Sequence, residues 1–272
     1  RENLTRPYRP SPKLSKSCTM GTSTPTKINE TKYPWIARVF HSATSNIPYL
    51  CSAACVEERI FLTAARCIAT MAAFKLKPIA LVIPSQPTKQ MFDDIGFIVV
   101  DGTYQGKWET IQVYNNLTRT DKNFKWFGKV DMIQGTAIGH MRETFFYETE
   151  GESPRIQALY EVHVYVSNYF CHEFYNKNDS DSYYVPCYHT CTLVQNAAND
   201  KACQVYLAGE GHMLLTSNTK KIIGIATWAG SSDRYYPIGM STPNSDSFFE
   251  DFECAKEIRN ASTSSNSFAN LC

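Results

Sequence analysis

The chain has 272 residues, of which 43% are hydrophobic and 19% are charged, and its formal net charge is +1. This composition is sufficient for a buried core and excludes an extensively disordered protein. The nearly neutral charge argues against nucleic acid or an anionic membrane surface as a partner. One large domain is the expected organisation, because all-β domains often reach about 200 to 250 residues.

The cysteines and the glycosylation signals indicate an oxidising compartment. Ten cysteines are more than a reducing cytosol usually permits. Five N-x-S/T sequons point the same way, and they begin at Asn3, Asn29, Asn116, Asn178 and Asn260. No apolar run reaches the ~18 residues of a membrane span. No signal peptide is present, so we interpret the chain as the mature form of a secreted, extracellular glycoprotein whose leader has been removed.

In chain order, a Pro-rich and basic segment comes first. Residues 1–19 hold three prolines and five basic residues with no apolar period, which predicts a linker or extended arm before a domain over residues 20–272. Short β-rich runs separated by turn residues follow: WIARVF, RIFLTA, IALVI, IGFIVV, TIQVY, ALYEVHVYV and KIIGIATW. Their number and spacing predict an all-β sandwich or barrel. After Asp246, apolar residues recur at helical spacing, so one amphipathic helix closes the chain.

One stretch carries a specific resemblance. CSAACVEERIFLTAARC, residues 51–67, resembles the pattern of trypsin-like serine proteases that ends in L-T-A-A-H-C. YPWIARV, KIIGIATWAG and SPRIQALYEVHVYVSNYFC resemble three further strands of that family, so the likeness covers about residues 20–260. It implies an all-β fold, the trypsin-like double six-stranded β-barrel with a C-terminal α-helix.

The resemblance also locates the triad positions, and their residues are degenerate. Arg66 stands where the family has its histidine base, and a guanidinium cannot accept a proton near neutral pH. KVDMIQGTAIGHM is the best match to the carboxylate strand, which makes Asp131 the candidate. In LAGEGHMLL, Gly209 and Glu210 precede Gly211 in the serine position, and a shift by one places Glu210 there. Neither register supplies a hydroxyl, and loss of the base or the nucleophile alone costs about a millionfold in turnover.

The resemblance further implies a disulfide framework and an altered specificity pocket. Cys51–Cys67 and Cys171–Cys187 match family pairs, whereas the pairing of Cys18, Cys55, Cys191, Cys203, Cys254 and Cys272 stays open. Lys201 stands at the base of the pocket, where trypsins have an aspartate. No cleavage point for zymogen activation is evident, and neither a cofactor nor a metal is implied.

These features favour a non-catalytic homologue, a pseudoprotease, for which we expect an invertebrate source. Its expected function is the binding of an extracellular protein partner, as a cofactor, decoy or regulator, with loops 115–130 and 175–186 contributing. One alternative is an enzyme with a rearranged site, in which Cys55 and His212 form a nucleophilic pair. A structural or matrix component is the other.

Overall fold

The computed structural model describes residues 26–40, 49–65, 67–68, 79–82, 94–100, 102, 107–114, 133–142, 157–167, 171, 189–194, 211–217, 220–228, 238–243 and 246–261. The strands in these ranges are β1 (Thr26–Ile28), β2 (Ile36–Phe40), β3 (Tyr49–Glu57), β4 (Ile60–Thr63), β5 (Ile79–Val82), β6 (Gly96–Val100), β7 (Ile133–Arg142), β8 (Gln157–Val166), β9 (His189–Val194), β10 (Met213–Thr216), β11 (Ile222–Trp228) and β12 (Ile238–Ser241). A 3-10 turn (Glu30–Lys32) follows β1, and a C-terminal helix, α1, covers Asp246–Ala261.

The strands form two antiparallel sheets. The first has five strands in the order β2-β3-β4-β6-β5. The second has the order β1-β8-β7-β10-β11-β12-β9, and an additional pairing of β8 with β9 closes six of its strands into a barrel. We call the five-stranded sheet the first barrel and the seven-stranded sheet the second barrel. This architecture confirms the all-β, trypsin-like fold class that the sequence predicts.

Side chains of the second barrel alternate between two apolar regions, because successive residues of a strand point to opposite faces. The inward set fills the barrel and consists of Ala137, Val162, Val164, Val166, Leu214, Ile223, Ala226, Ile238 and Met240. The outward set joins the core of the first barrel, and it includes Ile138, Leu159, Met213, Leu215, Ile222 and Ile225. The two barrels therefore share one continuous core across their contact.

The run TIQVY is not a strand, which corrects the sequence prediction. Residues 107–114 form an extended segment whose only bridge among the described residues joins Val113 to Ile222. The backbone N–H of Ile111 donates to the carbonyl of Cys55 in the first barrel, at 2.9 Å, whereas Tyr114 N–H donates to the carbonyl of Ile222 in the second, at 2.8 Å. Because its hydrogen bonds are divided between two sheets, the segment joins the barrels and extends neither ladder.

Helix α1 confirms the predicted closing helix and packs on the first barrel. Its apolar face buries Phe248, Ala255 and Ile258, and the ring of Phe252 stacks on Phe97 of β6 with centroids 5.1 Å apart. The turn between β3 and β4 holds the helix end, since an Arg59 guanidinium nitrogen donates to the Arg259 carbonyl at 3.0 Å. No helix in the described ranges is long and apolar enough to span a membrane.

Candidate functional site

The end of β4 is held in register from both sides. Cys67 is disulfide-bonded to Cys51 of β3, the pair that the resemblance implies, with their Cα atoms 6.3 Å apart. Thr63 pairs with Gly96 of β6, and its hydroxyl donates to the Ser52 carbonyl at 2.7 Å. Arg66 itself lies outside the described residues, but its neighbours Ala65 and Cys67 are both buried. The two sequence neighbours of residue 66 are therefore held in the core of the first barrel.

Asp94 lies beside this position and is absent from the sequence predictions. It is 8% exposed, precedes β6 by one residue, and its carbonyl accepts from Ala65 N–H at 3.2 Å. Asp131, the predicted carboxylate, lies outside the described residues, and β7, which follows it, belongs to the second barrel. The signal for Asp94 was available, because DDIGFIVV matches an acid followed by an apolar strand better than VDMIQGTA does.

Gly211 marks the closest approach of the second barrel to the first. Its φ is +75°, in the left-handed region that side chains disfavour. A β-carbon added there would lie 2.7 Å from the Thr63 hydroxyl oxygen and closer still to the Ser52 carbonyl oxygen. No serine fits at this position in this backbone. Gly209 and Glu210, the preceding residues of the segment, lie outside the described residues.

His212 is fully buried and serves packing. Its Nε2 lies 3.0 Å from the His140 carbonyl oxygen, so that nitrogen carries a proton and donates it. The imidazole packs directly on Gly139, where an added β-carbon would collide with the ring. His212 O also accepts from Ala226 N–H at 2.8 Å. The residue thus ties β10 to both β7 and β11.

Ser52 and His140 form a two-way hydrogen-bonded pair between the barrels. The backbone N–H of His140 donates to Ser52 Oγ at 2.9 Å, and Ser52 Oγ lies 3.1 Å from His140 Nδ1. The hydroxyl oxygen accepts from the backbone N–H, and the tautomer of His140 decides which group donates in the bond between Ser52 Oγ and Nδ1. His140 Nε2 lies 3.9 Å from a Glu30 carboxylate oxygen. Ser52 is 0% exposed and His140 3%, so this serine–histidine–glutamate arrangement is closed to substrate.

The electrostatic surroundings of His140 oppose its protonation. Burial, the positive charge of Arg38 and the proximity of His212 together lower its pKa from 6.5 to about 3, and burial is the largest of these causes. Glu30 is the nearby counter-charge, and it already forms an ion pair with Arg38. His140 is consequently a neutral hydrogen-bonding residue at physiological pH.

Glu161 of β8 is a charged residue on the same face of the second barrel as His140. Its two carboxylate oxygens accept from Lys32 Nζ at 2.6 Å and from the Tyr33 hydroxyl at 2.7 Å. Burial opposes ionisation of Glu161, but these hydrogen bonds outweigh it and hold the pKa of the carboxyl below its ordinary value. Burial, followed by the bond to Glu161, raises the pKa of the Tyr33 phenol.

The structure does not join Cys55 to His212 as a nucleophilic pair. The Cys55 thiol donates to the Glu57 carbonyl at 3.1 Å, and burial raises its pKa to about 11. A nucleophilic cysteine needs a thiolate, and this group is a neutral core thiol. Among the described residues it is also the free cysteine.

Cys171 is bonded to Cys191, which corrects the predicted Cys171–Cys187 pair. Cys191 lies within β9, which pairs with the end of β8, and its carbonyl accepts from Ser167 N–H at 3.0 Å. This pairing brings Cys191 within 5.3 Å of Cys171, Cα to Cα. Cys254 of α1 is disulfide-bonded as well.

The structure describes only some of the other predicted site residues. Lys201, the loops 115–130 and 175–186, and the sequon residues Asn3, Asn116 and Asn178 lie outside the described residues. Asn29 and Asn260 are both exposed. Asn29 Oδ1 accepts from Thr31 N–H at 3.0 Å. Within the described ranges, no group of three or more His, Cys, Asp or Glu side chains is placed to hold a metal ion.

Two sheets, one of them a closed six-stranded barrel, meet where β3 contacts β7 and β10. Together with the C-terminal helix they define the fold of trypsin-like serine proteases. No family model matches the chain, and no curated protein matches its sequence. Solved structures do match, with TM-scores just above 0.5. The chain is similar to a scabies mite inactivated protease paralogue, S-D1, with a TM-score of 0.56, 14% identity, and coverage of 87% of this chain and 97% of that one.

Two proteases give comparable matches. Mouse neuropsin, a serine protease expressed in the limbic system, matches with a TM-score of 0.52, 15% identity, and coverage of 81% of this chain and 94% of that one. The VesB protease of Vibrio cholerae matches with a TM-score of 0.51, 16% identity, and coverage of 85% of this chain and 66% of that one. At this identity the comparisons establish the trypsin-like fold.

Proposed function

We propose that the chain is a secreted, catalytically inactive homologue of trypsin-like proteases that acts by binding an extracellular protein. The observation that carries the proposal is the register at the end of β4. Cys67 is held by its disulfide to Cys51 and Ala65 by its hydrogen bond to the Asp94 carbonyl, and the residue between these two in the sequence is Arg66. A permanently protonated guanidinium cannot act as the general base of a triad.

The remaining groups at this site support the same conclusion. Gly209, Glu210 and Gly211 supply no hydroxyl in any register. Of the described histidines near the contact of the barrels, His140 and His212 are buried and hydrogen-bonded within the fold. We propose that Asp94, rather than Asp131, occupies the carboxylate position, where it has no imidazole at residue 66 to orient.

Disulfides and two exposed sequon residues, Asn29 and Asn260, support the secreted, glycosylated form that we propose. A rigid scaffold with polar loops is a common basis for protein recognition, so the partner is expected to contact loops 115–130 and 175–186. As a homologue without catalytic activity, the protein would act as a cofactor, a decoy or a regulator.

The test is capture of partners from extracellular fluid with the native glycosylated protein as bait. We expect a stoichiometric, reversible complex whose partner keeps its intact mass after long incubation. Replacement of residues 175–186 by a Gly/Ser segment of equal length should weaken that complex at least tenfold, while Glu253→Gln on the exposed side of α1 should not. A partner that is recovered only as fragments, or equal binding by both variants, would contradict the proposal.

A further inference from the structure

Cys254 of α1 has a disulfide partner that lies outside the described residues. Cys254 is disulfide-bonded. The pairs that the structure describes are Cys51–Cys67 and Cys171–Cys191, and Cys55 is a free thiol. Since the chain has ten cysteines, the partner of Cys254 is one of the other four: Cys18, Cys187, Cys203 or Cys272.

We propose that this partner is Cys18, so that the basic N-terminal arm, residues 1–19, docks on the exposed face of α1. The inference rests on the secreted route of the proposed function, because disulfides persist in oxidising compartments, and it does not depend on whether the chain is catalytic. Formation of the bond releases two protons and two electrons from the two thiols. A disulfide of an oxidoreductase in that compartment accepts them and becomes a dithiol.

The exposed face of α1 is acidic and partly apolar. The helix contains five acidic and two basic residues, which gives it a formal charge of −3. Glu250 and Glu257 stand four residues before and three residues after Cys254, on the same side of the helix, and both are exposed. Phe249, which precedes Glu250, is 37% exposed. This face therefore suits a covering segment of opposite charge.

Charge distinguishes Cys18 from the other three candidates. The arm that holds Cys18 contains five basic residues and one acidic residue, which gives it a formal charge of +4. The segments that hold the other candidates have a formal charge of zero: residues 183–191, 199–207 and 262–272. Among the four segments, the arm alone has a charge opposite to that of α1, so electrostatic attraction favours it at the helix surface.

The path of the chain before β1 leads towards α1. Strand β1 runs antiparallel to β8, so the chain enters β1 from the side on which β8 ends. On that side of the second barrel, residues 107–114 bond to Ile222 and connect it to Cys55 of the first barrel. Strand β3 then ends at Glu57, whose carboxylate accepts from the Arg259 guanidinium of α1 at 2.8 Å.

The length of the chain is sufficient for this path. Eight steps of chain join Cys18 to Thr26, and they span up to about 28 Å when extended. Cys187, in contrast, stands two residues before His189, where β9 of the second barrel begins, whereas α1 packs on β4, β5 and β6 of the first barrel. The fold therefore favours Cys18 over Cys187 as the partner.

Limited proteolysis tests whether charge docks the arm on α1. Trypsin cleaves after the lysines of the arm, and mass spectrometry follows the rate. The variant Glu250→Gln/Glu257→Gln removes two exposed acidic charges from α1, and the control Glu58→Gln/Glu109→Gln removes two exposed acidic charges elsewhere. Cleavage should be roughly 2- to 30-fold faster in the first variant, because two weak surface ion pairs are lost together, and it should be unchanged in the control. Equal rates in the two variants would overturn the docking of the arm.

Disulfide mapping of the native protein tests the pairing itself. Free thiols are alkylated, the protein is digested without reduction, and the linked peptides are identified by mass spectrometry. We expect Cys18 joined to Cys254 in a monomer. In Cys18→Ser, Cys254 should become alkylated, whereas in the control Cys272→Ser it should stay bonded to Cys18. If Cys18→Ser fails to fold, the wild-type map decides.

The mapping separates failure of this inference from failure of the proposed function. Cys254 joined to any other cysteine of the chain, or to Cys18 of a second copy in a disulfide-linked dimer, would overturn the pairing while the secreted route stood. Alkylation of every cysteine in the native protein would overturn both, because no disulfide would then have formed.

Discussion

Replacement of Gly211 by alanine tests the close contact on which the site geometry depends. In the folded chain this residue has φ +75°, and a β-carbon would meet the Thr63 hydroxyl oxygen at 2.7 Å as well as the Ser52 carbonyl. The left-handed conformation costs a non-glycine residue about 1–2 kcal/mol. Displacing neighbours in a closely packed interior adds about 1–3 kcal/mol. We therefore expect Gly211→Ala to lower the free energy of unfolding by about 2–5 kcal/mol.

Gly224→Ala is the matched control. Gly224 is also buried in the second barrel, but an added β-carbon there would contact Met240 Cβ at 3.1 Å and the Ser241 carbonyl oxygen at 3.4 Å, which is a milder crowding. Alanine has a higher strand preference than glycine, which offsets part of that cost. The free energy of unfolding of Gly224→Ala should therefore differ from that of the wild type by no more than about 1 kcal/mol.

Urea unfolding followed by tryptophan fluorescence measures both variants, with the free energy extrapolated to water. If Gly211→Ala were as stable as Gly224→Ala, the close approach of Gly211 to the first barrel would be wrong. The same contact predicts that Gly211→Ser cannot restore a nucleophile, because the hydroxymethyl group meets the Ser52 carbonyl as the methyl group does.

Two further predictions concern bonds in the second barrel. Peptide mapping without reduction should recover Cys171 joined to Cys191, and a peptide that joins Cys171 to Cys187 would contradict the pairing of β8 with β9. Tyr33→Phe removes the phenol that donates to Glu161 at 2.7 Å and should lower the free energy of unfolding by about 1–2 kcal/mol. The Glu161 carboxylate should then titrate at a higher pKa in an NMR experiment, and an unchanged pKa would show that the phenol does not stabilise it.

The sequence predicts strands that read as continuous or alternating apolar runs, and it gives a weaker signal where glycine and polar residues interrupt the run. RIFLTA, IGFIVV and KIIGIATW are strands because continuous apolar runs fit a position between two cores. For β7 only the resemblance indicates a strand, because Gly135, Gly139 and His140 interrupt its apolar pattern. Those residues are dictated by tertiary contacts, since Gly139 receives the His212 ring and His140 bonds to Ser52.

The candidate site is predictable only where a covalent or local pattern fixes the register. The resemblance around L-T-A-A-R-C implies the Cys51–Cys67 bond, which is present in the structure. The local signal for Asp94, an acid before the apolar run IGFIVV, is preferred over that for Asp131 once β6 rather than β7 is known to pair with β4. The requirement for glycine at residue 211 arises from the approach of a second barrel, which no local pattern encodes.

The most direct test of the central claim is a search for catalysis with no assumption about the partner. The purified protein is incubated with a proteome-derived peptide library at neutral pH, and new termini are counted by mass spectrometry alongside labelling by a fluorophosphonate and by iodoacetamide. Wild type and Arg66→His should both give only the termini found in the buffer control and no serine adduct. The wild type lacks the base, and Arg66→His restores it without supplying a nucleophile. Cleavage that scales with protein concentration and disappears on mutation of Cys55, His212 or Asp94 would show that the protein is an enzyme.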